Sequence, residues 1–416
     1  MTGQAQKCSG KNIAILGMNY PPERTGIAPY TGALAIELQR AGYHVTAHVA
    51  HPHYPEWKIR RGYGQWFCQE TESGVVVKRR LHYVPQSPRG LRRLLSELSF
   101  GLRLVAGRCG RPHLVVAVSP SLFSAAMVVM RFRFMLKRTK IILWVQDLYS
   151  LGMSEMGEGG AVAERVTRWI ETKTLRSADR VVVIHNRFSD YVISDLGVSA
   201  DRVSILRNWS HLPPFQAVDA NAAKLALAWP SNAFLAVHTG NMGAKQGLEN
   251  IVEAARLADR QGASVHFLLV GDGGERDLLK ELATGIDRIT FIDPLSADDY
   301  HFALNAADVL LVNEKPGVSA MSVPSKLTSY FHAGRPVVAA TDVDGITASE
   351  VKAAGAGLVV PAGDPQTLLD AIMSLRENQG AAAEFGANGR RYREQVLDEG
   401  SALTHWQRLI EHVVNT

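Results

Sequence analysis

A lysine opens a helix at a point in the chain where an anion could bind. The segment 309–342 begins with an apolar strand at 309–312 and ends with another at 336–340. Between them, Pro324-Ser325-Lys326 predicts a first helical turn, because the missing N–H of proline costs nothing there. The free amides and positive dipole end of such a turn suit an anion such as a diphosphate, and Lys326 would add a charge. An ordinary βαβ turn is the alternative.

A second lysine occurs in a similar setting. The apolar strand at 233–238 is followed by the glycine-rich loop TGNMGAKQGLE, which carries Lys245 and leads into a helix. Loops of this kind contact phosphate through their backbone amides. The G-x-G turn formed by Gly271 and Gly273 after the next strand is a weaker signal of the same type. We therefore expect Lys245 and Lys326 to converge on one anionic ligand.

The first half offers a carboxylate and a glycine. The strand at 141–145 ends in Gln146-Asp147, and a carboxylate at the carboxyl end of a strand in an α/β sheet lies where ligands bind. Gly26 precedes a helix predicted over 27–41 and would let the backbone approach a ligand closely, unless it is a plain turn glycine. His51 and His53, with no third ligand nearby, are weak support for a metal site.

The elements that must position these residues alternate between strand and helix throughout the chain. This alternation predicts an α/β protein with two doubly wound parallel sheets. A length of 416 residues exceeds one ordinary core, and 46% apolar with 20% charged residues excludes a disordered chain. We expect a first domain over 1–212, a second over 213–395 and a helical tail over 396–416.

Cysteine usage and hydropathy bear on the compartment. Cys8, Cys68 and Cys109 are odd in number and scattered, which favours a reducing cytoplasm without a disulfide framework. The first 12 residues lack an apolar secretory core. The longest uncharged run, 114–130, contains a proline and three serines, so a buried strand and helix explain it better than a membrane span.

Positive charge is concentrated in the first half. Residues 1–212 carry 29 Lys and Arg against 15 Asp and Glu, a net charge of +14, whereas the remainder carries −9 and the whole chain +5. Residues 78–140 contain 14 basic residues and one acidic residue, Glu97. This imbalance indicates an anionic partner, which could be nucleic acid, acidic lipid headgroups or a phosphorylated substrate.

Two segments of this half have the pattern of basic amphipathic helices. Residues 91–108 are apolar at 91, 94, 95, 98, 102 and 105, with arginines between them, and residues 131–140 (RFRFMLKRTK) combine apolar side chains with five cations. Helices of this kind bind anionic membrane surfaces. Packing on the domain core with the arginines in solvent is the alternative, but two such helices together favour membrane contact.

The segment 309–342 resembles the donor-binding region of glycosyltransferase family 4. Within that family it is similar to the colanic-acid-type fucosyltransferase branch, whose helix reads P-S-K-L-T before a Gly-Arg-Pro-Val strand, and AGRPVVAATDVDG matches closely. The resemblance covers about residues 12–410. It implies the GT-B fold, in which two Rossmann-like domains face a cleft. The first would bind the acceptor and face the membrane, the second would bind a nucleotide sugar, and the C-terminal helix would return to the first.

The resemblance also implies site residues. Lys245 matches the lysine of the family, whereas Asn241 stands where the family has arginine, so Lys326 would supply the missing charge. A hallmark pair of glutamates is absent, as it is in the similar branch, and Met321 and Ser329 occupy its positions. The candidate donor-binding residues are Gly26, Asn241, Gly271, Gly273, Glu314, Gly317, Ser319, Ser325 and Ser329. Asp342-Val343-Asp344 is interpreted as a turn and not as a metal-binding D-x-D.

These residues and the resemblance together predict a retaining, metal-independent glycosyltransferase. Its donor would be a GDP- or UDP-linked sugar, with no cofactor, and Asp147, Lys245 and Lys326 would be the catalytic residues. Its acceptor would be a lipid-diphosphate-linked saccharide for surface polysaccharide synthesis. The protein would lie in the cytoplasm on the anionic inner face of the cell membrane, without a nucleic-acid partner. A GT-B-fold sugar-nucleotide epimerase, a Rossmann oxidoreductase and a catalytically inactive membrane-associated homologue or scaffold remain alternatives; the lack of G-x-G-x-x-G after Gly17 opposes the oxidoreductase.

Overall fold

The computed structural model describes residues 10–23, 26–88, 90–136, 138–156, 160–209, 218–317 and 325–416. Within it the chain divides into two compact units. The first consists of Met1–His211 together with Glu399–Thr416, and the second of Leu212–Asp398. Ser319, one of the predicted donor-binding residues, lies outside the described residues, as does Met321.

The first unit alternates strands and helices along the chain. Its elements are β1 Asn12–Leu16, α1 Ala28–Arg40, β2 His44–Ala50, β3 Phe67–Glu72, β4 Val75–Arg80, α2 Gly90–Ala106, β5 Leu114–Val118, α3 Leu122–Met135, β6 Lys140–Val145, α4 Tyr149–Met156, α5 Gly160–Ser177, β7 Arg180–Val183, α6 Asn186–Ser194, β8 Val203–Ile205 and α15 Glu399–Asn415. The strands form one sheet in the order β3-β4-β2-β1-β5-β6-β7-β8. All neighbours pair in parallel except β3 with β4.

The second unit repeats this plan with a smaller sheet. Its elements are α7 Ala220–Ala226, β9 Leu235–Thr239, α8 Glu249–Gln261, β10 His266–Val270, α9 Arg276–Leu282, β11 Ile289–Ile292, α10 Ala297–Ala306, β12 Val309–Asn313, α11 Ser325–Ala333, β13 Val337–Thr341, α12 Ile346–Ala354, β14 Gly357–Pro361, α13 Pro365–Glu377 and α14 Gln379–Val396. The strand order is β11-β10-β9-β12-β13-β14, and every pair is parallel.

The central strands are apolar because helices cover both faces of each sheet. β5, β9, β12 and β13 are buried along their whole length. A parallel strand buried on both faces reads as a continuous apolar run, which is the pattern that identified these strands in the sequence. The prediction of two parallel α/β sheets is confirmed, and the carboxyl ends of neighbouring strands meet at one edge of each sheet.

One prediction about local structure was wrong and one element was not predicted. The basic segment 131–140 is not one helix, because residues 131–135 form the end of α3 and Lys140 begins β6. The β3–β4 hairpin was not predicted; β3 alternates between exposed and half-buried residues, as an edge strand does, and so lacks an apolar run.

The predicted helix at 91–108 exists as α2, but none of the six residues of its predicted apolar stripe is fully buried: three are half-buried and three are exposed. α2 buries Ser96, Glu97, Phe100, Gly101 and Leu104. Glu97 can be buried because its carboxylate accepts hydrogen bonds from the Tyr149 hydroxyl (2.5 Å) and from the Phe123 amide at the start of α3 (3.2 Å). The leucines of the stripe at 91, 95 and 102 are therefore left 55–77% exposed.

The last helix of the chain completes the core of the first unit. Trp406 of α15 is fully buried and its ring lies 4.7 Å from that of Trp144 in β6, which in turn stacks on Trp209 at 6.2 Å. Lys11, just before β1, donates hydrogen bonds to the Val414 carbonyl and the Asn415 side chain. The helix is thus held at both its middle and its end.

Trp406→Ala should lower the free energy of unfolding of the first unit by about 3–5 kcal/mol, because it removes a large buried ring. Urea titration followed by tryptophan fluorescence would measure this, since six of the seven tryptophans lie in the first unit. Trp169→Ala is the matched control, because Trp169 is 63% exposed, and its effect should stay within about 0.5 kcal/mol. Equal unfolding midpoints for the two variants would contradict the role given to α15.

Candidate functional site

The loop that carries Lys245 is fixed to the neighbouring strand. Lys245 is exposed on a short 3-10 turn, Ala244–Gln246, and its carbonyl accepts a hydrogen bond from the Lys315 amide (2.9 Å). The buried side chain of Asn313, at the end of β12, donates to the carbonyls of Gln246 and Gly247 (both 2.8 Å). Lys245 and Lys315 are therefore cations on loops that follow adjacent strands, β9 and β12.

Lys326 lies in the first turn of α11 and points back over the end of β9. Its Nζ is 3.2 Å from Nε2 of His238 and 3.9 Å from the place that a Cβ would take at Gly240. Burial lowers the pKa of this lysine to about 7, an effect that Glu314 partly opposes. The structure thus places the ammonium group at the start of the loop that carries Lys245.

Glu314 follows β12 and is already hydrogen-bonded. Its carboxylate accepts from the Thr341 and Thr347 hydroxyls, the latter at 2.6 Å. Burial raises the pKa of Glu314, while these two hydroxyls and the charge of Lys326 act in the opposite direction. The carboxylate consequently joins the end of β13 to the start of α12, and its effect on Lys326 is electrostatic.

Gly271 and Gly273 permit the loops after β9 and β10 to touch. A Cβ at Gly271 would lie 2.0 Å from the Gly240 carbonyl oxygen, and one at Gly273 would lie 2.4 Å from that of Met242. The same loops are joined by hydrogen bonds from the Met242 amide to the Asp272 carbonyl (2.8 Å) and from the Glu275 amide to the Met242 carbonyl (2.9 Å). These glycines therefore serve the close approach of two backbones.

The other predicted residues of this unit are placed as follows. Asn241 is exposed beside Gly243, within the loop after β9. Gly317 adopts a φ of 81°, which favours glycine, in the exposed segment after β12. Ser325 is the first residue of α11, and Ser329 is half-buried on the same helix. All follow the carboxyl ends of β9 or β12.

In the first unit, Asp147 is half-buried just after β6. Its neighbour Gln146 forms a reciprocal amide pair with Asn208: Gln146 Nε2 donates to Asn208 at 3.2 Å, and Asn208 Nδ2 donates to Gln146 at 2.7 Å. This pair gives Gln146 a clear structural function. Its partner follows β8, two strands away in the sheet.

Gly26 belongs to a separate polar cluster at the same sheet edge. It has a φ of 64° and lies against the ring of Tyr54. The buried carboxylate of Glu23 accepts hydrogen bonds from the His53 amide (2.8 Å), the Tyr54 amide (2.9 Å) and Asn19 Nδ2 (2.9 Å). Glu23 was not among the predicted residues, although a glutamate directly after a Pro-Pro turn is a signal of an ordered loop.

His82 adds a buried imidazole to that cluster. Its ring lies 5.0 Å from the ring of His53, and in the part of the chain that the structure describes neither of its nitrogens has a hydrogen-bond partner. Burial lowers the pKa of His82 to about 3, with the neighbouring histidines contributing less. The ring is therefore neutral at physiological pH.

Metal coordination is not evident in the described ranges, which hold no group of three or more His, Cys, Asp or Glu side chains suited to a metal ion. The D-x-D sequence forms a turn after β13, in which the Gly345 amide donates to the Asp342 carbonyl at 2.9 Å. Nor does any helix among the described residues have the length and apolar character needed to cross a bilayer.

Comparison with protein families gives a match to each unit. Residues 25–209 match the model described as "Glycosyl transferase 4-like domain", and residues 233–378 match "Glycosyl transferases group 1". The chain is 35% identical over 337 residues to the putative colanic acid biosynthesis glycosyl transferase WcaI of Escherichia coli K12. That match covers 77% of this chain and 81% of the relative.

Solved structures match the fold along nearly the whole chain. Sucrose-phosphate synthase from Thermosynechococcus elongatus superposes with a TM-score of 0.73 at 18% identity, covering 97% of this chain and 99% of that one. Anabaena Alr3699/HepE in complex with UDP-glucose gives 0.67 at 16% identity, covering 96% and 99%. The likeness confirms the GT-B fold that the sequence predicted.

Gly271→Ala should destabilise the second unit by about 3 kcal/mol, because the added methyl would overlap the Gly240 carbonyl at a φ of +136°. Gly274→Ala is the matched control: a Cβ there meets nothing within 4 Å, and the change should have an effect within about 0.5 kcal/mol. Urea unfolding monitored by circular dichroism compares them. The crossing of the two loops would be in doubt if both variants unfolded at the same urea concentration.

Proposed function

Because this chain belongs to the glycosyltransferases that combine a family 4-like domain with a group 1 domain, we propose that it transfers a sugar from a GDP- or UDP-linked donor. The acceptor is a lipid-diphosphate-linked saccharide, and the product serves surface polysaccharide synthesis. WcaI, named for colanic acid biosynthesis, supports the pathway class, and the structure of HepE with UDP-glucose supports a nucleotide-sugar donor.

One observation carries the choice of donor site: Lys245 and Lys315 follow β9 and β12, two neighbouring strands whose carboxyl ends meet at one sheet edge. Lys326 lies over Gly240, and the backbones of Lys245 and Lys315 are hydrogen-bonded to each other. The first turn of α11 adds a positive dipole end and amide groups that have no partner within the helix itself. A donor diphosphate at this edge would therefore meet lysines and amide donors together.

These groups would assist the reaction by stabilising the leaving group. As the anomeric carbon–oxygen bond breaks, negative charge grows on the nucleoside diphosphate, and fixed cations and amides bind that charge more strongly in the transition state than in the ground state. Lys326 would take up a proton as the diphosphate binds, because its pKa near 7 rises beside an anion.

The configuration of the anomeric carbon is retained if the acceptor hydroxyl attacks that carbon from the same face from which the diphosphate leaves. The new carbon–oxygen bond forms as the old one breaks, and a phosphate oxygen takes the hydroxyl proton, so no protein nucleophile and no metal are needed. This route agrees with the absence of glutamate at Ser329. Asp147 would orient the acceptor hydroxyl or the sugar. Proton NMR of the new linkage tests retention, and activity in EDTA tests metal independence.

Three neighbouring helices of the first unit provide a surface for the membrane. α2 packs on α3, and α3 on α5. Together they expose nine apolar side chains, which we call the apolar helix face: Leu91, Leu95, Leu102, Met130, Phe134, Met135, Val162, Val166 and Trp169. Exposed arginines lie on these helices, among them Arg92 and Arg165. Apolar groups set among cations suit the inner leaflet, with its anionic lipids. We place the enzyme there, peripheral and cytoplasmic.

Lys245→Ala should abolish stabilisation of the protein by its preferred nucleotide sugar. In a thermal-shift screen of GDP and UDP sugars, a ligand at 100 times its Kd stabilises by about 2.7 kcal/mol, and the variant should lose that shift. Lys280→Ala, which changes an exposed lysine on α9, is the control and should keep it. An undiminished shift in Lys245→Ala would remove Lys245 from the site, and formation of an epimerised sugar nucleotide without transfer would favour an epimerase.

Phe134→Ser/Trp169→Ser should reduce binding to anionic phospholipid vesicles at least fivefold in a sedimentation assay. The control, Leu225→Ser/Leu278→Ser, changes two leucines of the second unit that are 70% and 50% exposed, and should bind as the unchanged protein does. Binding should weaken as salt rises, because the charges are on the surface. Equal binding to neutral phosphatidylcholine vesicles, or an equal loss in the control, would contradict the proposed surface.

A further inference from the structure

His238 is an unusual residue for its position. It lies in β9, which is flanked by β10 and β12 in the middle of the second sheet, and its side chain is fully buried. It shares a strand face with Ala236, which packs in the apolar core together with α8 residues. A buried imidazole costs free energy unless a polar partner compensates, so an aliphatic side chain would suit the fold alone better.

Lys326 is the hydrogen-bond partner of Nε2 of His238. The distance of 3.2 Å from Nε2 to Nζ is that of a hydrogen bond. An ammonium group has donors and no acceptor, so Nε2 must accept, and the imidazole must carry its proton on Nδ1. Burial, and secondly the charge of Lys326, hold the pKa of His238 well below its ordinary value. The ring is thus neutral when it accepts this bond.

The helix that bears Lys326 is itself anchored to β9. The buried hydroxyl of Tyr330, one turn along α11, accepts a hydrogen bond from the amide of Thr239, the residue after His238 (3.0 Å). Two consecutive residues of β9 therefore hold one face of α11. The ammonium group ends beside Gly240, and the carboxylate of Glu314 favours its charged form.

We propose that His238 is a positioning residue whose neutral Nε2 holds the Lys326 ammonium group toward the loop after β9, where it meets the donor diphosphate. The ammonium group donates one of its three N–H groups to His238, and the other two can donate to phosphate oxygens. This inference rests on the proposed function, in which Lys326 contacts the diphosphate. It adds a residue that contacts neither the sugar nor the phosphate and acts only through the lysine.

The test compares His238→Phe with His238→Gln by calorimetry with UDP and with GDP. Phenylalanine fills the space of the ring without an acceptor, whereas a glutamine side-chain oxygen can reach the place of Nε2. We expect His238→Phe to raise the Kd of the nucleotide that binds about tenfold and His238→Gln to stay within about threefold. His266→Phe is the control, because His266 lies at the opposite end of β10 and bonds Thr290.

The pH dependence separates positioning from a merely structural role. The affinity for the nucleotide should be highest below pH 7. It should fall as the pH rises past about 7, because Lys326 of the unbound protein loses its proton there. A hydrogen bond to the charged form favours that form, so losing the acceptor should shift this fall to lower pH in His238→Phe. Lys326→Arg should remove the fall, because arginine stays charged.

The results distinguish a failure of the positioning role of His238 from a failure of the proposed function. If the unchanged protein binds UDP or GDP and His238→Phe shows the same Kd and the same pH profile, the positioning role is wrong and the proposed function stands. If the unchanged protein binds neither nucleotide, the proposed function fails and this role with it. Should His238→Phe not fold, His238→Asn replaces it: its shorter amide cannot reach Lys326, and equal affinity for the Asn and Gln variants would overturn the proposal.

Discussion

The hydrogen bonds from the Asn313 side chain to the carbonyls of Gln246 and Gly247 join two loops of the second unit, and the placement of Lys245 beside Lys315 depends on them. Asn313 is buried and is itself oriented by Asn250, whose amide donates to its oxygen at 2.9 Å. An amide can satisfy two carbonyls at once, which an aliphatic residue at the end of a buried strand cannot do. The loop with Lys245 thereby becomes an extension of the sheet, and a rigid scaffold allows fixed charges to act on a reacting group.

The fold was largely predictable because buried parallel strands leave an unmistakable apolar pattern, and charged residues just after them mark the ligand-binding edge. Lys245 and Asp147 were predicted in this way, and Lys326 was predicted from the Pro-Ser-Lys start of its helix. The bond between His238 and Lys326 was not, because it joins a strand to a helix 88 positions later and depends on β9 and β12 being neighbours. Glu314 was expected to bind the donor, but only the structure shows that Thr341 and Thr347 occupy its oxygens.

The first unit shows why an apolar stripe does not by itself reveal which face of a helix is buried. In α2 the core receives Ser96, Glu97 and Gly101 together with Phe100 and Leu104, while three leucines of the predicted stripe, Leu91, Leu95 and Leu102, point outward. Periodicity would have assigned the opposite orientation to any helix of an ordinary soluble protein. The buried Glu97, linked to Tyr149 and to the amide of Phe123, makes this inverted arrangement stable. The charge and hydropathy of the segment indicated a surface for a partner, but only the structure shows which face of α2 is turned toward the core.

The division of the chain has a consequence for how the protein is made. α15 lies in the first unit, yet the whole of Leu212–Asp398 separates it from the remainder of that unit. Domains tend to fold in the order in which they leave the ribosome. Trp144 and Trp209 therefore cannot pack against the ring of Trp406 until the second unit has been synthesised. Completion of the first unit is therefore expected after that of the second unit, which is inserted within it, so the nascent chain holds a complete second unit before its first unit has a complete core.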